Sequence, residues 1–227
     1  TAEGQDGHVD LPRAGIDVRR ADDRFRTDRD GITTFHSFSY GAHYDAENIG
    51  FGPILAINEE QVPPAGGYET HHHADVEIVT WVLDGALAHE DTAGARGVIE
   101  PGTLHWLTAG AGVQHAEHNA STAESLRFIQ TMLRSNWHGE PMYQDHAVGE
   151  TSGELDLSER AAIDLTILRG EAVLSVERPA LVYVTSGTVR VGDFELAAGD
   201  EARIHDGGPY DLNAPETAGA MIWQLQV

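Results

Sequence analysis

Two histidine clusters with the spacing of β-strand residues constrain this chain more than any other feature. They read Thr70-His71-His72-His73-Ala74-Asp75-Val76-Glu77 and Gly112-Val113-Gln114-His115-Ala116-Glu117-His118-Asn119. Because successive side chains of a strand point to opposite faces, His71, His73 and Glu77 are expected to share one face of the first strand. His115 and Glu117 are expected to share one face of the second. Two such strands packed side by side bring three imidazoles and a carboxylate together.

These side chains predict a site for a transition metal. Nitrogen and oxygen donors without a thiolate suit a divalent first-row ion, and four protein ligands still leave open positions on a five- or six-coordinate ion. The alternative is a surface tract of three consecutive histidines that binds metal only adventitiously. In the second cluster the donors His115 and Glu117 have the same two-residue spacing as His71 and His73, and a glycine-bearing run at 108–112 precedes them. Both features favour an ordered site. The same donors accept Fe, Mn, Co, Ni, Cu and Zn, so the pattern leaves the metal open.

The rest of the chain has the pattern of an all-β protein. Short apolar runs alternate with turn signals about every 8–12 residues, which favours a sandwich or barrel over a helical fold. Residues 78–83 are apolar on both faces of the predicted strand, as in the central strand of a buried sheet. Asp84-Gly85 predicts a tight hairpin after them. The strand that begins at Phe51 is predicted to end in an acidic turn at 58–60. Four scattered histidines could line or approach a pocket, namely His36, His43, His89 and His105. These four and His205 are nevertheless predicted to be structural or surface residues.

The second half of the chain repeats the pattern of the first without its histidines. Residues 182–187 (VYVTSG) echo residues 80–85 (TWVLDG). Aligning the two glycines places Val173 and Ser175 at the positions of the first histidine pair, so the second half keeps the strands and lacks the ligands. We therefore predict a frayed N-terminal arm at 1–15, a metal-binding domain at 16–146, and a degenerate domain without metal ligands at 147–227.

Several motifs together resemble one known family. His71-x-His73-x3-Glu77 followed by Gly85, and Gly112-x2-His115-x3-Asn119, are similar to the two motifs of cupins. More specifically, the segments His-Ser-Phe-Ser-Tyr-Gly at 36–41, His-Glu-Asp at 89–91 and Thr-Ala-Gly-Ala-Gly-Val-Gln-His-Ala-Glu at 108–117 resemble the pirin family. Pro141-x-Tyr143-Gln144 extends this resemblance to residue 146.

The resemblance implies a fold and a ligand set. The fold is a bicupin, all-β, with two β-barrel or jelly-roll domains packed together and one metal, usually iron, in the N-terminal barrel. The implied ligands are His71, His73, His115 and Glu117. Cupins more broadly coordinate through the glutamate of the first motif, which makes Glu77 the rival of Glu117. Either glutamate could also accept a proton from a substrate hydroxyl.

The resemblance also implies an activity, the oxygen-dependent cleavage of a flavonol such as quercetin. A small aromatic substrate that chelates through adjacent oxygens fits an open metal site, because the cation lowers the pKa of a coordinated hydroxyl. Trp81 and Trp106 are candidate walls for such a flat molecule. One alternative is a non-catalytic, metal- or redox-sensing regulatory protein that binds a protein partner. Another is a sugar or polyol isomerase, because a fold does not fix its chemistry.

Charge and composition disfavour other classes of function. The 37 acids and 14 bases give a formal charge of -23, a field that repels phosphate backbones and disfavours direct binding of nucleic acid. The arginines between 19 and 29 are interspersed with acidic residues, and this pattern predicts an ion-paired surface. No apolar run approaches the roughly 20 residues of a membrane helix, and the acidic first residues favour the cytoplasm over secretion. The absence of cysteine excludes disulfides and thiolate ligands.

Overall fold

The computed structural model of this chain describes residues 15–92, 94–149 and 152–226. The arm predicted at 1–15 lies outside these ranges except for Gly15. The regular secondary structure of the described residues is almost wholly strand, which confirms the all-β prediction. Among them, no helix is long and apolar enough to cross a membrane.

The first half of the described chain contains twelve strands and a single 3-10 turn at Ala21–Asp23. The strands are β1 (Ile16–Arg19), β2 (Phe25–Arg29), β3 (Ile32–His36), β4 (Ile54–Val62), β5 (Gly67–His73), β6 (Val76–Asp84), β7 (Leu87–Asp91), β8 (Arg96–Ile99), β9 (Thr103–Thr108), β10 (Val113–Asn119), β11 (Leu126–Arg134) and β12 (Met142–Ala147).

The second half adds nine strands and one short helix, α1 (Ser158–Ala161), in the described residues. The strands are β13 (Ser152–Asp156), β14 (Ile163–Arg169), β15 (Ala172–Val176), β16 (Ala180–Ser186), β17 (Thr188–Val191), β18 (Phe194–Ala197), β19 (Glu201–Ile204), β20 (Tyr210–Ala214) and β21 (Gly219–Leu225).

Each half combines one large sheet with one small sheet. In the first half the orders are β12-β9-β6-β11-β4-β3-β2 and β5-β10-β7-β8. In the second half they are β1-β19-β16-β21-β14-β13 and β15-β20-β17-β18. Apolar side chains from both sheets fill the space between them in each half. The matching strand orders show that the second half repeats the first.

The first strand departs from the predicted domain division. Residues 16–19 were assigned to the N-terminal domain, but β1 pairs with β19 in the large sheet of the second half, where Ile16 lies opposite Ile204. Ile16 and Val18 pack against the apolar core of that half, which accounts for the placement. In the large sheet of the first half, β12 holds the equivalent edge position beside β9. The rest of the division, with its boundary after residue 146, stays a prediction.

The turn at Gly85 differs from the predicted hairpin. Instead of pairing with β6, β7 joins the small sheet between β10 and β8, so the turn carries the chain from one sheet to the other. Gly85 has a φ of +82°, and a Cβ here would lie 2.8 Å from the carbonyl oxygen of Ser125. Gly187, at the repeated position after β16, has a φ of +64°. Both positions favour glycine, because left-handed backbone is strained for other residues.

The two large sheets pack against each other through a shared apolar core. Trp81 and Trp106 of the first half contribute to it, together with Ile163, Tyr183 and Trp223 of the second. All five side chains are buried. This shared core joins the halves, as the bicupin prediction requires.

Strand β4 is longer than predicted, because the acidic turn expected at 58–60 is part of the strand. Glu59 faces the other half and accepts hydrogen bonds from Arg24, Arg127 and the Tyr183 hydroxyl, at 2.9, 2.8 and 2.8 Å. Glu60, on the opposite face, points into its own barrel. Both carboxylates find buried partners, so the strand continues to Val62.

The arginines between 19 and 29 are paired with carboxylates. The pairs are Arg19–Asp17, Arg20–Asp200, Arg24–Glu59, Arg26–Asp28 and Arg29–Asp30. This confirms the predicted ion-paired interpretation of the segment, with Arg24 partly buried between the halves.

Candidate metal centre

The two histidine clusters meet in the small sheet of the first half. Strand β5 pairs antiparallel with β10 and places His71 opposite His115. The ring centroids are 4.5 Å apart for His71 and His115, 4.9 Å for His71 and His73, and 5.0 Å for His73 and His115. One nitrogen from each ring lies within 4.8 Å of the others. The structure thus brings three of the predicted ligands together.

Glu117 belongs to a second, overlapping group. One of its oxygens lies within 4.8 Å of ligand nitrogens of His115 and His89. The amide nitrogen of Gln130 donates to both carboxylate oxygens, at 3.0 and 3.1 Å, and also contacts the Thr80 hydroxyl at 3.3 Å. Burial raises the pKa of Glu117, with the amide hydrogen bonds opposing the shift. The two groups share His115, and no comparable group occurs among the described residues of the second half.

The ring nitrogens of this cluster fit a metal ion. Both nitrogens of His115, Nε2 of His73 and Nδ1 of His89 are buried without a hydrogen-bond partner in the described residues. His71 bonds through Nδ1 to the carbonyl oxygen of Glu69 at 2.8 Å, which directs Nε2 elsewhere. Unpaired buried nitrogens are costly. A cation that accepts imidazole and carboxylate ligands would satisfy them.

Burial keeps two of these imidazoles neutral. Desolvation, with repulsion from the neighbouring histidines, lowers the pKa of His115 to about 2 and that of His73 to about 4. A metal binds the neutral form of imidazole. At neutral pH a metal therefore meets these two rings already deprotonated.

These shifts predict that His115 makes the metal-free protein sensitive to acid. An unfolded histidine has a pKa of about 6.5, so below that pH the unfolded chain takes up protons that the folded chain does not. The stability contributed by neutral His115 is present above pH 6.5 and is lost as pH falls towards 2, at about 1.4 kcal/mol per pH unit. In the His115→Leu protein, the free energy of unfolding should therefore fall less steeply as pH is lowered from 6 to 5, by about 1.4 kcal/mol per pH unit relative to wild type.

Urea unfolding of the metal-free proteins at several pH values measures this slope. His118→Leu is the matched control, because His118 lies on the same strand and its side chain is 40% exposed. The control should keep the wild-type slope. A His115→Leu protein with the wild-type slope would contradict the assignment of a lowered pKa to His115.

Glu77 does not join the cluster. It is fully buried and accepts hydrogen bonds from Trp106 Nε1 at 2.7 Å, from the Thr108 hydroxyl at 2.5 Å, and from the Ser135 hydroxyl. The prediction that Glu77 shares a face with His71 and His73 is wrong, because the chain turns at Asp75, which has a φ of +58°. The turn moves Glu77 into β6 of the large sheet, on the face towards the second half.

His89 was predicted to be a strand or surface residue, with an approach to the pocket as the alternative, and the structure places it beside the candidate ligands. It lies opposite Glu117 in the register of β7 and β10, and its Nε2 contacts Asp91 at 3.2 Å. Its ring centroid is 4.9 Å from that of His105, whose Nδ1 contacts Asp145 at 2.9 Å. A carboxylate on one ring nitrogen fixes the tautomer of a histidine near a metal. The segment His89-Glu90-Asp91 carried this signal in the sequence, but only strand pairing shows what it faces.

The other sequence candidates lie away from the cluster. Trp81 and Trp106 belong to the core between the halves, so neither forms the predicted wall of the site. His36 and His43 both contact the Thr27 hydroxyl, at 3.0 and 3.1 Å. These bonds confirm the structural interpretation of the two histidines.

Two barrels whose large sheets pack together, with a histidine and glutamate cluster in one of them, define a bicupin. The family model described as Pirin matches residues 18–133, more than half of the chain. A relative from Mycobacterium tuberculosis, provisionally named a quercetin 2,3-dioxygenase, is 35% identical over 233 residues that cover 93% of this chain and 96% of its own. The chain therefore belongs to the pirin family.

Two Escherichia coli proteins extend the comparison. One, named quercetin 2,3-dioxygenase, is 25% identical over 227 residues, which cover 92% of this chain and 98% of its own. The other is a solved structure, the bacterial pirin YhhW in complex with nickel(II), with a TM-score of 0.85 and 24% identity over 93% of this chain and 99% of that chain. The structural likeness confirms the bicupin fold.

Proposed function

We propose that this protein is a metal-dependent dioxygenase that cleaves a flavonol or a related phenolic, with His71, His73, His115 and Glu117 as ligands of one divalent ion. The convergence of unpaired imidazole nitrogens beside a buried carboxylate carries the proposal. The names of the relatives support the substrate class and the use of dioxygen. Iron is our first assignment for the ion; nickel is present in the YhhW complex, and manganese, cobalt, copper and zinc accept the same donors.

The protein's own contribution is to hold these donors in place. Strands β5 and β10 are hydrogen bonded to each other, which fixes the spacing of the two ligand pairs. Gln130 orients the carboxylate of Glu117, and the carbonyl of Glu69 orients His71. Such outer contacts decide ligand direction as much as the ligands themselves do. A bound cation supplies the Lewis acidity that lowers the pKa of a chelating substrate hydroxyl.

Oxygen uptake with quercetin tests this function. Protein loaded with Fe(II), Ni(II) or Mn(II) is expected to consume oxygen when quercetin is added, and the His73→Ala variant is expected to lose this activity. The loss should follow from the missing ligand, because His73 supplies one of the three clustered nitrogens. An oxygen electrode measures the rate, and metal content is determined on the same samples.

His72→Ala is the matched control. His72 is the neighbouring residue on β5, and its exposed side chain lies on the opposite face of the strand. The control variant should retain wild-type oxygen uptake. Equal turnover by metal-free and metal-loaded protein would remove the dioxygenase proposal.

A further inference from the structure

We propose that Glu60 is the group that accepts the proton of the chelating substrate hydroxyl, the role that sequence analysis gave to Glu77 or Glu117. This inference rests on the proposed function in assuming that a hydroxylated aromatic chelates a metal ion in the first barrel, and it does not require that the aromatic is cleaved. Glu60 was predicted to lie in an acidic turn at 58–60. Its position in the structure is inside the barrel.

The pairing of β4 directs Glu60 towards the barrel interior. Glu60 lies opposite Thr34 of β3 and opposite Phe128 of β11. Val62, two residues further on the same face, packs in the barrel core with Phe128 and Tyr68. The residue as a whole is 6% exposed. It therefore shares an interior with the small sheet that carries the histidine cluster.

The hydrogen bonds of Glu60 leave one oxygen for a ligand. The hydroxyls of Thr34 and Tyr68 each donate to Oε2 at 2.6 Å. Neither bond uses Oε1, and no ion pair with an arginine or histidine involves Glu60 in the described parts of the chain. The Tyr68 ring lies edge-on to the ring of His71, with centroids 6.3 Å apart. One tyrosine thus connects Glu60 to a candidate ligand.

The charges that face Glu60 suit a proton acceptor near neutral pH. Burial, with a smaller contribution from Glu117, raises the pKa of Glu60 to about 7, although the bonds from Thr34 and Tyr68 oppose the shift. Tyr40 responds to the same field, because burial and then the charges of Glu60 and Glu117 raise its pKa. A base whose pKa is close to the working pH is the most effective proton acceptor.

The two glutamates considered in the sequence are less suited to this role. As a metal ligand, Glu117 has its oxygens committed to the cation and to Gln130. Glu77 faces the second half and is held by three donors. Glu60 combines a barrel-facing position with an oxygen that neither hydrogen bond occupies.

The proposed step is a proton transfer without oxidation or reduction. The O–H bond of the substrate hydroxyl breaks, and a new O–H bond forms at Oε1 of Glu60. The electron pair of the broken bond stays on the substrate oxygen as negative charge, which a bound cation would stabilise. Thr34 and Tyr68 keep their bonds to Oε2 throughout.

The test is the pH dependence of catechol binding. Ferric protein is mixed with catechol under nitrogen in a stopped-flow instrument, and the visible absorbance of the complex gives the association rate. Catechol is chosen because its hydroxyls ionise well above neutral pH. The wild-type rate should rise with pH as Glu60 ionises. Glu60→Gln should be about 100-fold slower at pH 8, with little dependence on pH, because general-base assistance of this size is lost.

Two further variants keep the test decisive. Glu60→Asp retains a carboxyl group and should keep the rising pH profile at a reduced rate, which a purely structural role for Glu60 would not require. Glu195→Gln removes an equal charge from a side chain of the second half that is 72% exposed, and it should behave as wild type.

The inference is overturned if Glu60→Gln keeps the wild-type rate and pH profile, if Glu60→Asp loses the pH dependence, or if the wild-type ferric protein does not bind catechol. The oxygen-uptake experiment with quercetin can give a negative result without affecting this inference. Protein that binds catechol with the expected pH profile but never consumes oxygen with quercetin would refute the dioxygenase and leave Glu60 as the proton acceptor.

Discussion

Replacing His115 with alanine is expected to lower the affinity for a divalent metal by more than about 100-fold, because loss of even an outer contact to a ligand costs about 10- to 100-fold. His115 is the one histidine shared by both ligand groups, and both of its ring nitrogens are buried and unpaired. Its removal leaves neither group with three donors. Competition with a chromophoric chelator measures the affinity, and metal content after dialysis provides a second measurement.

His118→Ala is the control for this prediction. His118 follows on the same strand, is only partly buried, and has its nearest charged partner in Glu69 at 3.7 Å. Because side chains alternate along a strand, His118 lies on the face opposite His115 and Glu117. The control should bind metal within about twofold of wild type, since surface substitutions away from special contacts have small effects. Wild-type affinity in His115→Ala would place the metal elsewhere in the protein.

The part of the site that the sequence could predict is the part that depends on local geometry. His71 and His73 lie two residues apart on one strand, so the alternation of side chains is enough to align them. The pairing of β5 with β10 then brings His115 to His71. The repeat in the second half was visible for the same reason, because Gly85 and Gly187 mark equivalent turns and are read directly from the sequence.

The part that could not be predicted depends on turns and on distant pairing. The alternation of side chains between strand faces is broken at the bend at Asp75, so the sequence separation between His73 and Glu77 could not show which face Glu77 occupies. His89 acquires its significance from its register with β10, and Glu60 from its register with β3. Neither has a local pattern that distinguishes it from a surface residue. The sheet that carries Trp81 has two buried faces, so hydrophobicity alone did not show which face the indole occupies.

The corrected position of Glu77 leads to the second large effect. Glu77→Ala is expected to lower the free energy of unfolding by about 4 kcal/mol, because the three donors that bond to this carboxylate would be left buried and unpaired at about 1–3 kcal/mol each. For a chain of this size that corresponds to a fall in Tm of about 10 °C. Glu77→Gln keeps one carbonyl acceptor and should lose about half as much stability. Urea unfolding and calorimetry measure both changes.

A structural Glu77 also predicts which property stays unchanged. Folded Glu77→Gln protein should bind metal within about twofold of wild type and consume oxygen at the wild-type rate per bound metal, because its carboxylate contacts Trp106, Thr108 and Ser135 and none of the clustered histidines. Glu69→Ala, an exposed carboxylate, should change stability by less than about 0.5 kcal/mol. If Glu77→Gln unfolds like wild type but no longer binds metal, then Glu77 is a ligand, and the bend at Asp75 does not separate it from His71 and His73 as we conclude.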